Sequence, residues 1–355
     1  MSRFFSRKYD TLTPYTPGEQ PKERKYIKLN TNESPFAPPV SVAEAAKAAA
    51  GNAELYSDPE NTRLKAAVEK VWGVNAKQVV VTNGSDEVLN FAFMAFCDET
   101  HPIVFPDITY GFYPVFARLN AIPYETVPLK ENFSVDYRDY VGIGKNIVIA
   151  NPNAPTGLAL TVGEIEEIVK SNPDNVVIID EAYVDFGGES CVRLIDKYDN
   201  LLVTQTFSKS RSLAGARLGL GFGSENLIAD LNTIRYSTNP YNVNAMTEAA
   251  GCAALVEEKY FRDNAKTIAK TREDTKASLE KLGFFVTDSK ANFLFAKCGK
   301  IGGNELYLRL KERGILVRHF TGKRIEEYNR ITVGTKAQME ALLAAVEEIL
   351  KEKEE

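Results

Sequence analysis

Histidine and paired cysteine are scarce in this sequence. Its 355 residues include two histidines, His101 and His319, and four cysteines that form no CxxC pair. This scarcity argues against histidine-based metal sites and serine–histidine relays, and we predict no metal. Isolated cysteines are typical of reduced thiols in a cytoplasmic protein. Any proton transfer is therefore expected to use lysine, tyrosine or a carboxylate.

Long apolar runs and a surplus of one charge are also lacking. No apolar run approaches the ~20 residues that span a bilayer, and the N-terminus has no apolar stretch typical of a signal peptide. The 43 basic and 48 acidic residues leave a net charge of −5. Such a balance gives no electrostatic reason to bind nucleic acid or an anionic membrane. We expect a cytoplasmic protein that acts on small molecules, with neither nucleic acid nor membrane as a partner.

The length indicates two domains preceded by an arm. Residues 1–40 contain six prolines and little periodicity, so we interpret them as an extended arm that packs on the small domain or on a partner subunit. Residues 41–242 are predicted to form the large domain and residues 243–355 a smaller α+β domain.

Short apolar runs alternate with helical spacing in residues 41–242. Runs that are apolar on both faces and separated by helices indicate a mostly parallel sheet covered on both sides, which makes the fold class α/β. The runs are Val79–Thr82, Pro102–Phe105, Asn146–Ala150, Val176–Asp180, Leu201–Phe207 and Leu218–Phe222. In the second domain a long helix is predicted over 245–282. Strands are predicted at Phe284–Thr287, Phe293–Lys297, Ile315–Arg318 and Ile331–Val333.

Chemically informative residues follow these runs, where open α/β sheets bind their ligands. Asp180 ends one run, Ser208 and Lys209 follow the next, and Arg217 lies eight residues beyond the lysine. Alone, the aspartate would be read as a helix cap and the lysine as a surface residue. Together they match the needs of pyridoxal phosphate: an amine for a Schiff base, a carboxylate for the pyridine nitrogen and a cationic, hydroxyl-rich phosphate cradle.

The motifs around these residues resemble those of fold-type-I aminotransferases, class II, and specifically the histidinol-phosphate aminotransferase group. The lysine motif is "TFSKSRSLAGARLG" and the aspartate motif is "IIDEAYVDF". Further matching segments in the same order are "LNTNESPFAPP", "LYSDPENTRLKAAV", "TNGSDEVLNF", "DITYGFYP", "NPNAPTG" and "RITVGT". The resemblance covers nearly the whole chain and implies an aspartate-aminotransferase-like large domain.

The resemblance also implies individual roles. Lys209 would carry pyridoxal 5′-phosphate and move the substrate proton, Asp180 would pair with the pyridinium, and Tyr183 would bind the phenolic oxygen. Tyr110 would stack on the ring, while Tyr56 would reach the phosphate of a partner subunit in a homodimer. The implied cofactor-binding set is Gly84, Ser85, Asp86, Tyr110, Asn153, Asp180, Tyr183, Ser208, Lys209, Arg217 and Tyr56.

The sequence departs from the family pattern at one position. The family usually has asparagine directly before Pro-Thr-Gly, where it bonds the phenolic oxygen, whereas this chain has Ala154 preceded by Asn153. We expect Asn153 to supply that contact.

The substrate is implied by fewer residues. The resemblance assigns substrate binding to Tyr15, Asn32, Arg318 and Arg330, with Arg330 holding the phosphate of histidinol phosphate. It therefore implies transamination of L-histidinol phosphate with 2-oxoglutarate, giving imidazole-acetol phosphate and glutamate, as in histidine biosynthesis. An aromatic amino-acid aminotransferase and a threonine-phosphate decarboxylase on the same scaffold remain open. A cofactor-sensing regulator is disfavoured, because the arm lacks a helix-turn-helix pattern.

Overall fold

The computed structural model describes residues 2–10 and 12–354. Its strands are β1 (Ile27–Lys28), β2 (Val79–Thr82), β3 (Ile103–Pro106), β4 (Tyr124–Val127), β5 (Asn146–Ala150), β6 (Val177–Asp180), β7 (Leu201–Thr206), β8 (Gly219–Phe222), β9 (Phe284–Val286), β10 (Phe293–Cys298), β11 (Ile315–Leu316), β12 (Arg318–His319) and β13 (Asn329–Thr332). Its helices are α1 (Val40–Ala49), α2 (Thr62–Trp72), α3 (Ser85–Phe96), α4 (Tyr113–Leu119), α5 (Val162–Ser171), α6 (Glu225–Thr238), α7 (Ala245–Val256), α8 (Glu258–Lys281), α9 (Gly303–Glu312) and α10 (Lys336–Glu354).

A seven-stranded sheet forms the centre of the first unit, in the order β2-β8-β7-β6-β5-β3-β4. All neighbouring pairs are parallel except those of β8, which runs antiparallel to β2 and to β7. The predicted α/β class with a mostly parallel sheet is therefore confirmed. The missed strand, β4, lies at the sheet edge and has a largely exposed, mixed sequence, so it lacks the apolar run that marks its neighbours.

Both faces of this sheet are buried, as the continuous apolar runs predict. Ile147 and Ile149 of β5 pack with Ile165 of α5 on one face, whereas Val148 packs with Leu89 of α3 on the other. Because successive strand side chains point to opposite faces, both sets must be apolar. The polar positions are consequently displaced to the strand ends.

The second unit is built on a four-stranded antiparallel sheet in the order β12-β13-β10-β9. The N-terminal segment joins it through β1, which pairs in parallel with β11. Helices α8 and α10 pack together over a core that includes Leu279, Leu294 and Leu342. The N-terminal segment thus pairs with the small unit at Ile27–Lys28.

Two predicted elements differ from the structure. The helix predicted over 245–282 is two helices, which meet at Glu257, because α7 packs against α1 and α2 whereas α8 packs against α10 and β9. The packing partners therefore change at Glu257, and the domain boundary at 243 stays a prediction. The strand predicted over Ile315–Arg318 is also two short strands, β11 and β12, which join different sheets.

Among the described residues, no helix combines the length and the hydropathy that crossing a membrane requires.

Candidate active site

Polar side chains collect at the carboxyl edge of the seven-stranded sheet. Asp180 ends β6, Lys209 follows β7, and Ser85 begins α3 just after β2. Because β8 is antiparallel, its first residue lies at this same edge, and this orientation brings Arg217 beside the others. These four residues line a cavity of about 270 Å³, which we call the inner cavity.

Asp180 presents a buried carboxylate to the inner cavity, with 4% of its surface exposed. Its Oδ2 accepts a hydrogen bond from the Tyr113 hydroxyl at 2.9 Å, and its Oδ1 accepts from the Thr204 hydroxyl and the Ala182 amide, both at 3.3 Å. Burial raises the pKa of Asp180 to about 6, although these donors oppose the rise. A cationic group bound in the cavity would stabilise the ionised form.

The N-terminus of α3 faces the inner cavity without a side-chain cap, so its first backbone N–H groups are available to an anion. Gly84 precedes it at φ +83°, where a Cβ would lie 2.5 Å from an Arg217 guanidinium nitrogen. A Cβ on Gly219 would lie 2.3 Å from the Ser85 nitrogen. The close approach of β8 to the helix therefore requires glycine at position 219. The guanidinium of Arg217 donates to the Ser208 hydroxyl at 3.3 Å and pairs with Asp86 at 3.3 Å.

Lys209 lines the inner cavity together with two tyrosines, Tyr110 and Tyr183. Its Nζ donates to the Thr31 carbonyl at 3.3 Å and lies 5.7 Å from the centroid of the Tyr183 ring. The Tyr183 hydroxyl accepts a hydrogen bond from the Asn32 amide at 3.0 Å. The Tyr110 hydroxyl donates to Asp86 at 2.8 Å, and burial followed by the nearby Asp86 charge raises the Tyr110 pKa well above its ordinary value.

The structure corrects the prediction for Asn153. The Asn153 side chain is 1% exposed, and its amide nitrogen donates to the Ile108 carbonyl and to the Thr156 hydroxyl while its oxygen accepts from Thr109. Both amide protons are therefore engaged within the protein. The residue that lines the cavity is Ala154, which has no donor to offer there.

A second cavity of about 560 Å³, the outer cavity, opens beside Lys209 and contains the predicted substrate residues Tyr15, Asn32, Arg318 and Arg330. Tyr15 stacks on Phe112 with ring centroids 4.2 Å apart. Arg330 donates to the Asn30 carbonyl at 3.0 Å, and burial lowers its pKa from the ordinary value. Arg318 donates to the carbonyls of Thr16 and Pro17, which hold the N-terminal segment over the cavity.

Two further cations of the outer cavity were not identified from the sequence. Lys323 and Arg324 line it from the segment between β12 and β13, and Arg324 pairs with Asp107 at 2.9 Å. These residues follow no periodic pattern, so only the adjacency of two basic residues after Gly322 could have suggested them. Together with Lys209, Arg318 and Arg330, they give the outer cavity five basic side chains against the single carboxylate of Asp107.

Tyr56 lines neither cavity and is largely exposed. It is 83% exposed and stacks on Tyr241, with ring centroids 4.4 Å apart. Gly84 directly precedes α3. Apart from Gly84, Asn153 and Tyr56, all the predicted cofactor residues line the inner cavity.

Comparison with known proteins assigns this arrangement to a class. The sequence profile of the aminotransferase class I and II family matches residues 24–346. Such a match, with an amine, a buried carboxylate and an anion cradle in one cavity, defines a pyridoxal-phosphate-dependent aminotransferase. The cavity fits the cofactor, because each group that the ring, aldehyde and phosphate require is present.

The nearer relatives specify the family. The histidinol-phosphate aminotransferase of Brachyspira hyodysenteriae is 47% identical over 99% of this chain and 100% of its own length. Histidinol-phosphate aminotransferase 1 of Bordetella parapertussis is 49% identical over 98% and 99%, respectively. This chain belongs to the histidinol-phosphate aminotransferase family.

A solved structure supports the fold independently. The histidinol-phosphate aminotransferase from Sinorhizobium meliloti, crystallised with pyridoxal-5′-phosphate, superposes with a TM-score of 0.91 over 99% of both chains at 23% sequence identity. A threonine-phosphate decarboxylase from Porphyromonas gingivalis also shares the fold, with a TM-score of 0.79, 21% identity, and coverage of 91% of this chain and 99% of its own. The fold alone therefore does not separate the two reactions.

The pKa of Asp180 generates a prediction about stability. A carboxyl whose pKa is raised from 3.8 to about 6 binds more protons folded than unfolded. The free energy of unfolding of the cofactor-free protein should therefore fall as the pH rises from about 4 to 6, by roughly 3 kcal/mol from this group. Asp180→Asn should remove that part of the fall in urea titrations at each pH.

The exposed Asp230→Asn substitution is the matched control and should leave the pH profile unchanged. Glu181, whose pKa burial raises to about 7, should leave a residual fall that extends to higher pH in the Asp180 variant. An identical pH profile for wild type and Asp180→Asn would contradict the prediction.

Proposed function

We propose that this protein transfers the amino group of L-histidinol phosphate to 2-oxoglutarate, giving imidazole-acetol phosphate and glutamate. The observation that best supports this substrate is the basic outer cavity, which adjoins Lys209. Among its described lining residues, five side chains are cationic and one is a carboxylate. A phosphate monoester brings nearly two negative charges, and guanidinium groups bind such anions through paired hydrogen bonds. The names of the relatives at 45–49% identity support the same substrate.

The inner cavity would hold pyridoxal phosphate, which when bound withdraws electrons from the Cα of an amine substrate. Lys209 would hold it covalently through Nζ, and Asp180 would supply the negative charge beside the ring nitrogen. The phosphate would lie at the N-terminus of α3, against Ser208 and Arg217. Tyr110 and Ala182 also line the cavity and would confine the ring there.

When a substrate amine takes the place of Lys209, the freed neutral amine of Lys209 would be the base that removes the substrate Cα proton. The hydrogen bond from Nζ to the Thr31 carbonyl at 3.3 Å places the amino group at the junction of the two cavities. Arg330 and Arg318 would bind the substrate phosphate, and the same pair would bind a carboxylate of 2-oxoglutarate. Tyr15 would cover the imidazole side, since it stacks on Phe112 at the cavity wall.

We also propose that the protein is a homodimer in which Tyr56 reaches the phosphate of the partner subunit. Tyr56 is 83% exposed and its neighbour Leu55 67% exposed, while Tyr241 is 41% exposed, so an apolar surface lies open in one chain. Such a surface is typical of a subunit interface.

We also propose that the protein works in the cytoplasm. Its four free cysteines support this location, because thiols stay reduced there.

Arg330→Lys tests the substrate assignment. A single ammonium cannot reproduce the forked guanidinium contact, so kcat/KM for histidinol phosphate should fall by a factor corresponding to ~2–4 kcal/mol. The KM for 2-oxoglutarate should rise as well. Unphosphorylated histidinol, already a poor donor, should be affected little; steady-state kinetics with both donors measures the difference.

Arg313→Lys is the control, because Arg313 pairs with Glu352 away from both cavities. Carbon dioxide and keto product are measured in parallel reactions with threonine phosphate, phenylalanine and tyrosine as substrates. Equal loss for both donors would remove Arg330 from phosphate binding, and release of CO₂ without keto product from threonine phosphate would favour the decarboxylase. Efficient use of phenylalanine and tyrosine, with no preference for the phosphate, would favour an aromatic aminotransferase.

The dimer is tested by complementation. Lys209→Ala and a disabling Tyr56→Ala variant should each be inactive, because one lacks the amine and the other loses cofactor phosphate contact. In hybrid dimers one of the two composite sites has both residues intact, so mixing should restore activity. With subunit exchange verified by mass spectrometry, absence of any recovered activity would show that Tyr56 serves its own chain.

A further inference from the structure

Three consecutive residues of the N-terminal segment touch three separate functional groups. The Asn30 carbonyl accepts from Arg330 at 3.0 Å, and the Thr31 carbonyl accepts from Lys209 Nζ at 3.3 Å. The Asn32 side-chain amide donates to the Tyr183 hydroxyl at 3.0 Å. We call these residues the 30–32 segment, and it lies between the basic outer cavity and the inner cavity.

The side chain of Asn32 is oriented by the small unit. Thr332 accepts from the Asn32 backbone N–H at 2.9 Å and its hydroxyl donates to Asn32 Oδ1 at 3.0 Å. Asn292 donates to the Asn32 carbonyl at 2.9 Å. Because Oδ1 is held by Thr332, the amide nitrogen must face Tyr183, and the residue is 1% exposed.

This orientation decides where the Tyr183 proton points. A hydroxyl that accepts one hydrogen bond keeps its own proton to donate elsewhere. Tyr183 lines both cavities, so the proton is directed to an acceptor within them. Ala154 lines the same cavities and has no polar side-chain atom, so it cannot substitute as a donor.

We propose that Asn32 is a positioning residue whose amide directs the Tyr183 hydroxyl proton toward the phenolic oxygen of the bound cofactor. The inference rests on the proposed cofactor site. Since Thr332 belongs to the strand that carries Arg330, the small unit that binds the substrate anion also sets this donor. The resemblance implies that Asn32 binds the substrate, whereas its hydrogen bond to the Tyr183 hydroxyl indicates a role in orienting that tyrosine.

The consequence is measurable in the cofactor's visible absorption. A donor to the phenolic oxygen stabilises its anionic form and lowers the pKa at which the cofactor–lysine linkage loses its proton. Substituting Asn32 removes none of the other charged or titratable groups around this linkage. These groups are Asp86, Asp180, Arg217, Tyr110, Glu33 and Arg330. A change in the pKa of the linkage therefore indicates that the hydrogen bond from the Tyr183 hydroxyl to the phenolic oxygen has changed.

Asn32→Gly is the primary variant, because Asn32 has φ +58°, which glycine adopts without strain. In absorbance titrations of the holoenzyme, Asn32→Gly should raise the pKa of the linkage by about 0.5–1 pH units. Tyr183→Phe should raise it at least as much. In the Tyr183→Phe background, Asn32→Gly should cause no further shift, since both substitutions remove the same donor.

Two more variants separate positioning from general damage. Thr332→Val removes the hydroxyl that orients the amide and should shift the pKa in the same direction, and it serves if the glycine variant does not fold. Asn292→Ala disturbs the backbone of Asn32 without touching its amide and should leave the pKa near that of the wild type. A shift that persists in full in the Tyr183→Phe background, or no shift in Asn32→Gly, would overturn the proposal. A wild type without a visible band would instead overturn the cofactor site.

Discussion

The site depends on a buried carboxylate that the chain surrounds with neutral donors. Asp180 accepts hydrogen bonds from Tyr113, Thr204 and the Ala182 backbone, and burial raises its pKa to about 6. Holding such a group without a counter-charge destabilises the fold, because ionisation is disfavoured out of water. A bound cationic ring would supply that charge, so the cofactor and this residue stabilise each other. Folding and cofactor binding would therefore be coupled through one residue at the end of β6.

The topology explains why the other groups meet this carboxylate. Parallel strands deliver Lys209 and the start of α3 to the same edge, and the antiparallel β8 adds Arg217 from its beginning. Gly219 permits the close approach of β8 to α3 that forms the anion cradle. The 30–32 segment then links this edge to the small unit, whose arginines make the outer cavity basic. Under the proposed function, the substrate anion and the cofactor would be bound by different units that share one connecting segment.

The strands and site residues that could be predicted from the sequence are those marked by a buried apolar run or by a dense motif. Of the strands buried on both faces, β2 and β5 were predicted to the residue and the others to within one residue at each end. The exposed edge strand β4 carried no apolar run. The turn at Glu257 was missed because helical spacing continues through it; only the packing partners change there. Asn153 was misassigned because a shift of one residue along a turn changes which side chain faces the cavity, and here Ala154 faces it. Lys323 and Arg324 lie in an irregular segment, where contact follows from tertiary structure alone.

The central claim is that Lys209 holds pyridoxal phosphate beside the buried Asp180. Borohydride reduction of the purified holoenzyme, followed by proteolysis and mass-spectrometric mapping, tests it most directly, because reduction fixes the cofactor to the amine that carries it. The account predicts one pyridoxyl group per chain, located on Lys209. Label on any other lysine, or no label on a protein that retains stoichiometric cofactor, would contradict it.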